Sequence, residues 1–558
     1  MTGLLSLALT LAFAAPQQLD QTAAQAAFDS LSTQFMGFHQ YFNPVRATLW
    51  GSEGYDPRFP DVSRAGLRSR ADAYQGWLDR VNAVDRQSLA GDAVQDWILM
   101  ERAIRAELLD LLEVRGWERD PTRYVDLVAR AVEPLVDGRG PSARARMNNL
   151  TSRLRQIATV LAEARTNLQR PPALFTRRAL EGADLLAVYL ESTVPSAFDS
   201  LEAGPGKADF LRAAANAAEQ MRSFQSFLGE DLLPRSTGEI AMGRERVEWT
   251  LRYREFVDRG LDEVLVALEA AVGTDRRRLE DQARSVDRNG ATLEVVTSVS
   301  RAPLGEDIEA LARERMDEVR TFVLRNLVFT IPSDRRPAPR LGPPLTSWDA
   351  PGVRAPGPLH PYDDPALLRL FPASPDGAWG PGSSGLAAIV LETSFPGAFV
   401  ESMAARRAPT RLRKLVRPAT LTRGWGRYAS DFVVGAGFRK DDEALQLILI
   451  HRRLRDLAEA RAAIHIHANG VTLEAAAAQL GQDAYLDANE AMLSARRAAI
   501  RPFEAGVLGA MQIEALARDF RAAGEDRDGG VTPRRFHDAF LATGLPPVLA
   551  RSVLLPGQ

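Results

Sequence analysis

The chain contains no cysteine. Thiolate catalysis, cysteine-ligated zinc, disulfides and a lipid-bearing cysteine in this sequence are therefore excluded. Lysine is almost as scarce, with only Lys207, Lys414 and Lys440, so nearly all positive charge is arginine. Base composition of the gene explains such a bias without any arginine-based recognition. The formal net charge of −3 gives no global case for a nucleic-acid partner or an acidic surface, and no nucleic acid is expected. Histidine is limited to His39, His360, His451, His465, His467 and His537, too few and too scattered to spell a metal-ligand spacing. There is no Gly-x-Ser-x-Gly elbow, no phosphate loop and no dinucleotide fingerprint after a strand, and no cofactor is expected. Beyond the N-terminus no segment runs eighteen uninterrupted apolar residues, so no transmembrane segment is expected in the mature protein.

What is present is ordinary globular composition, 45% hydrophobic and 25% charged over 558 residues. Leu4–Ala14 is an apolar run ending in small residues. It is too short to span a bilayer and reads as a secretory signal over residues 1–14, which predicts a secreted or periplasmic protein. Residues 15–331 form an N-terminal region of helical periodicity, with Ala24, Ala27, Phe28, Leu31, Phe35 and Phe38 as an example of one apolar face. Residues 43–63 read as a loop closing on Asp61 or Ser63 as a helix cap. Asp120-Pro121 reads as a further helix start. Leu327–Ile331 is the best strand candidate. Residues 332–385 form a Pro/Gly-rich segment; Pro332–Gly382 holds thirteen of the 34 prolines, together with Trp348, Tyr362 and Trp379. A loop of that length is usually functional or disordered, and its aromatics favour a packed rim. Residues 386–558 return to helical spacing. The fold class is all-α, with at most a few short strands.

The C-terminal region is organised around Leu391-Glu392-Thr393-Ser394-Phe395-Pro396-Gly397-Ala398-Phe399-Val400-Glu401. A Pro-Gly pair inside a helical pattern removes an amide donor and breaks the turn, so packing or a site must compensate. Further blocks follow at Leu421-Thr422-Arg423-Gly424-Trp425-Gly426-Arg427-Tyr428-Ala429, at Ile464-His465-Ile466-His467-Ala468-Asn469-Gly470, and at Phe536-His537 through Pro547. In order and spacing these blocks resemble a bacterial family known as domain of unknown function 885, large helical proteins similar to metallopeptidases. That family's pattern reads His-Glu-x-x-Pro-Gly-His. In register on Pro396-Gly397, its two His and its Glu fall on Glu392, Ala398 and Thr393, and a third presumed ligand, a Glu, falls on Arg423. An Asp of the family falls on Ala463, and a Tyr falls near Gly506.

The resemblance implies a large two-lobed helical body, similar to helical metallopeptidases, with a central cleft built from residues 386–410, 421–436 and 443–468. It also implies loss of the metal site. A zinc hydrolase needs neutral imidazole or carboxylate ligands and an open position for water; Ala cannot ligate, and a cationic Arg repels a divalent ion. Glu392, Thr393, Ala398 and Arg423 are thus vestigial site positions, with no catalytic residue and no metal assigned. Phe399, Trp425, Tyr428, His465 and His467 are candidates for cleft lining. Arg423 is expected to pair with Glu392 in the vacated site, and restoring the four family residues is expected to create zinc affinity. The reading is a catalytically degenerate member of the family, a pseudoenzyme, whose cleft binds a peptide or partner protein. Two alternatives stand beside it: an active hydrolase with a rearranged site, and a structural partner of an active paralogue. Gly524–Val531 has part of a calcium-loop pattern, but Gly524 and Arg535 occupy positions that need acidic ligands, so an ordinary turn is expected.

Overall fold

The computed structural model describes residues 14–557 except 90, 139–140, 302–306, 343, 346–349, 361–365, 372–381, 504–505 and 525–531. The signal-like run up to residue 13, Trp348, Tyr362, Trp379 and most of Gly524–Val531 lie outside the described residues. The rest is a mostly α-helical body with three short strands.

Side-chain caps set many helix boundaries. Ser63 Oγ accepts from Gly66 N and starts the helix Arg64–Asn82; Ser142 does the same for Ala143–Asn167. Asp120 Oδ1 accepts from Thr122 N at 3.0 Å, ahead of the helix Thr122–Val136. Each carboxylate or hydroxyl satisfies an amide that has no partner within its helix. The stretch expected to be a loop after Asn43 instead holds a short helix, Pro44–Trp50. Its proline sits in the first turn, where the missing N–H costs nothing.

Leu327–Ile331 is not a strand. It is a connection that buries Val328 and Phe329 as the chain leaves the helix Ile308–Arg325. The strands lie inside the proline-rich segment, at Ala338–Leu341, Gly352–Arg354 and Leu367–Leu370. The central strand, Leu367–Leu370, pairs parallel with Ala338–Leu341 and antiparallel with Gly352–Arg354. Leu368 and Leu370 are fully buried, which anchors this small sheet to the helices and explains order where proline density suggested irregularity.

The described residues bury three apolar clusters. One joins the N-terminal helices to Ser383–Thr393, Ala398–Ala405, Ala419–Gly435 and the C-terminal helices. A second surrounds the long helix Glu443–Asn469 with Leu261–Val286, Leu473–Ala484 and Ala488–Ile500. The third packs Thr122–Val136, Ala143–Asn167, Ala173–Val188 and Pro205–Ser226 together. Ser383–Ala405 is apolar enough by composition to cross a membrane, but 72% of that window is buried inside the protein.

One crossing positions the site more than any other. Ala419–Gly435 packs on Val507–Ala522 so closely that a Cβ on Gly424 would lie 2.9 Å from Gly509 Cα, and one on Gly509 2.0 Å from the Thr420 carbonyl oxygen. Only two glycines facing each other permit that approach. Gly509→Ala should therefore cost about 1–3 kcal/mol or force the helices apart. Gly435→Ala, where a Cβ meets nothing within 4 Å, should stay within about 1 kcal/mol of wild type. Urea midpoints of the two variants check this; equal midpoints would refute the crossing.

Four histidines are buried in this framework. Burial holds His39 down at about 3 and His451, His467 and His537 at about 4. All four are neutral in the folded protein near neutral pH. His537 Nδ1 faces the Val328 carbonyl at 2.8 Å and so carries the proton; its Nε2 accepts from the Tyr428 hydroxyl at 2.9 Å. Because the folded values lie below the ordinary 6.5, the unfolded chain takes up protons first on acidification. Their contribution to stability is full above about 6.5 and is lost as pH falls toward 4. The urea midpoint should drop markedly between pH 7.5 and pH 5, and a flat profile would contradict these burials.

Candidate functional site

The helix Ser383–Thr393 is buried from Gly385 to Leu391 and stops at Ser394. The chain doubles back through Phe395-Pro396-Gly397 into Ala398–Ala405. Two glycines make the reversal fit. A Cβ on Gly397 would lie 1.9 Å from the Glu392 carbonyl oxygen, and one on Gly426 2.5 Å from the same atom. The Trp425 indole N–H donates to the Pro396 carbonyl at 3.1 Å and fixes the far side of the turn.

This junction opens onto a cavity of about 570 Å³. Its wall takes residues from helices of all three apolar clusters: Thr122–Val136, Ser383–Thr393, Ala419–Gly435, Glu443–Asn469 and Ala488–Ile500, together with the strand Gly352–Arg354. Glu392, Thr393, Ala398, Arg423, Ala463 and Gly506 all lie on that wall. The positions singled out in the sequence therefore surround one space.

Their interactions differ from the expected Glu392–Arg423 pair. The Glu392 carboxylate is held by Arg427 Nη1 at 2.5 Å and by Arg452 Nε and Nη2 at 3.0 and 2.7 Å. Arg427 continues to Asp456, so one buried guanidinium bridges two carboxylates. Arg423 stands one helical turn earlier on the same face, exposed, with its Cβ over Gly506. Depth decides between the two arginines: the buried one reaches the buried carboxylate. Burial pushes the Glu392 carboxyl up, but Arg427 and Arg452 outweigh it and hold it below the usual range. Asp456 goes the other way, because its burial, with Glu459 and Glu392 nearby, outweighs Arg427.

A catalytic metal does not fit these residues. Both Glu392 oxygens are engaged by guanidinium groups. The Thr393 hydroxyl donates back to the Ile389 carbonyl at 2.8 Å. Ala398 has no donor atom, and Arg423 is cationic. Among the described residues no three His, Cys, Asp or Glu side chains are grouped to hold a metal ion.

The residues expected to line the cleft lie elsewhere. Phe399, Trp425 and Tyr428 are buried in the first apolar cluster; the Trp425 ring stacks on Phe540, and Tyr428 bonds His537. Their aromatic area is used as core rather than as a binding wall. His467 is buried, its Nε2 donating to the Ala499 carbonyl at 2.9 Å, and His465, half-buried, meets Asn469. Two apart on a helix, the two imidazoles diverge.

Sequence reasoning missed most of the charged wall. Among the described residues, eight arginines and five carboxylates line the cavity. Glu133 is shared by Arg354 and Arg369, Glu459 by Arg455 and Arg497, and Asp126 by Arg130 and Arg501. The available signal was the run of Arg, Asp and Glu between Arg452 and Glu459, on a helix otherwise apolar on every side. Removing the Glu392 charge tests the centre of this network. Glu392→Gln leaves Arg427 and Arg452 under-compensated in a buried setting and should cost on the order of 3 kcal/mol at neutral pH. Since the folded carboxyl sits below its ordinary value, the stability gap to wild type should be full above the normal carboxylate range. It should close as pH falls through the depressed value. Chemical denaturation at several pH values measures the gap; a gap that widens in acid would contradict the pairing.

A comparison with curated proteins gives no match. Among solved structures, one described as a putative lipoprotein of unknown function from Shewanella oneidensis superposes with a TM-score of 0.74 at 16% identity, covering 95% of this chain and 99% of that one. Another, described as a putative lipoprotein from Colwellia psychrerythraea, gives a TM-score of 0.77 at 13% identity, covering 95% and 98%. At such identities the likeness is one of fold. The family described as "Bacterial protein of unknown function (DUF885)" matches residues 44–552, and the chain belongs to that family.

Proposed function

We propose that this protein is a catalytically degenerate, extracytoplasmic binding protein that takes a peptide or a segment of a partner protein into the cavity at Glu392. The observation that carries this reading is the content of the wall. The positions matched to the family's chemical residues converge on one cavity of about 570 Å³, and the side chains they present are engaged by arginine, turned to backbone, or without a donor. A cavity of this volume is in the range that binds ligands. The outward address rests on the apolar run Leu4–Ala14 and draws support from the lipoprotein descriptions of the two similar structures, although this sequence has no cysteine to carry a lipid.

A second reading, an active hydrolase with a rearranged site, is favoured by one feature: Glu392 and Asp456 are displaced in opposite directions, the pattern of an acid–base pair. Against it, Arg427 holds both carboxylates, which removes them from contact with a scissile bond.

Two measurements separate the readings. Calorimetry with zinc should show no stoichiometric tight binding at neutral pH, and a broad peptide library should be retained in part but not cleaved. Tight zinc at this cavity, or turnover abolished by Asp456→Asn in a protein that stays folded, would overturn the degenerate reading.

A further inference from the structure

Residues 350–354 form part of the cavity wall and end in the strand Gly352–Arg354. They bridge two sides of that wall. Gly352 meets the end of the helix Ser383–Thr393: a Cβ there would lie 3.6 Å from Thr393 Cγ2, ordinary van der Waals contact. Further along the strand, Arg354 Nε meets Glu133 Oε1, on the helix Thr122–Val136, at 3.3 Å. Thr393 and Glu133 both face the cavity. The stretch therefore closes the wall between helices of two different apolar clusters.

Its attachments are graded in strength. The same Glu133 oxygen takes Arg369 Nη1 at 2.7 Å. Arg369 stands on the central strand Leu367–Leu370, which Leu368 and Leu370 anchor in the core. The Arg369 side chain is 12% exposed, that of Arg354 29%. The shorter, drier pair keeps Glu133 partnered whether or not Arg354 is engaged. The longer, wetter pair is the one that parts at little cost, because water solvates the released guanidinium. Downstream the chain is pinned. Arg406 Nη1 donates to the Gly357 carbonyl at 2.8 Å, Leu359 N donates to the Trp50 carbonyl at 2.8 Å, and a Cβ on Gly357 would lie 2.1 Å from the Leu49 carbonyl oxygen. Between the pinned residues and the strand lie only residues 355–356. The strand itself pairs with its neighbour over Gly352, Val353 and Arg354 alone.

We propose that residues 350–354 are a gate of the cavity, latched by the Arg354–Glu133 ion pair and turning on residues 355–356 ahead of the pinned segment. Opening strips one short ladder and leaves the buried anchors Leu368, Leu370 and Phe371 in place. A few loop residues beside a fixed point absorb the backbone change of such a motion. This route of entry does not depend on which ligand the cavity takes.

The absence of cysteine makes the gate testable with single introduced thiols in the full chain. Ala398→Cys puts one on the cavity wall, at a half-buried position. Ala312→Cys puts one in the first apolar cluster, fully buried and off the wall, where only general loosening exposes it. The rate of labelling by fluorescein maleimide then reports the open population at each place. Glu133→Gln and Arg354→Gln should each speed labelling at position 398 by about fivefold or more, and leave position 312 within about twofold of its starting rate. If Glu133→Gln fails to fold, Arg354→Gln decides alone, since Glu133 keeps Arg369. An unchanged rate at 398 in Arg354→Gln would overturn the gate. Equal acceleration at 398 and 312 would overturn it too, as loss of stability without a gate.

Discussion

Charge buried along the helix Glu443–Asn469 constrains the packing of everything around it. Taking an ion out of water costs several kcal/mol unless partners are in place, and this helix carries Arg452, Arg453, Arg455, Asp456, Glu459 and Arg461 through the middle of the protein. Most are answered from neighbouring helices. Arg453 reaches Asp275 on Leu261–Val286, Asp431 on Ala419–Gly435 and Glu514 on Val507–Ala522. Arg461 reaches Asp483 on Leu473–Ala484 and Glu269 on Leu261–Val286. Arg452 reaches Glu392, and Glu459 takes Arg497. Apolar packing alone would let these helices slide; the ion pairs fix their register, because a shift of one residue would strand several charges at once. The cavity is where this buried network meets open space.

The same constraint explains how much could be read from the sequence. A helix with a local cap, such as Arg64–Asn82 after Ser63, is legible because the cap and the periodicity that follows it are local. The sheet was not, because its strands of three or four residues sit among prolines and are held by Leu368 and Leu370 packing against distant helices. Glu443–Asn469 was legible as a helix but not as the central one, since apolar and charged residues occur around its whole circumference and no face announces itself.

The candidate site divides along the same line. Pro396-Gly397 marked the break, and with it the positions that face the cavity, because the Gly397 and Gly426 approaches to the Glu392 carbonyl leave no alternative residue. Pairing was not legible. Arg423 and Arg427 are a turn apart and point the same way, so only their depth in the fold says which meets Glu392. The aromatic residues near the motif were assigned to the wall on proximity in sequence, whereas Trp425 and Tyr428 use the opposite face of their helix to build the core with Phe540 and His537.

The four positions singled out in the sequence invite a simple substitution, metal ligands placed at each of them. The wall argues against it. A divalent cation needs carboxylates or neutral imidazoles free to face it and an environment that does not oppose its charge. Here Arg427 and Arg452 converge on Glu392. Placing a neutral imidazole at 392 would remove the carboxylate that Arg427 and Arg452 share and set two guanidinium groups beside the incoming ion. The four substitutions that the sequence suggests for restoring zinc affinity would thus build ligands into a field that repels the metal. The centre of the wall is built around guanidinium groups, and their charge opposes a divalent cation there.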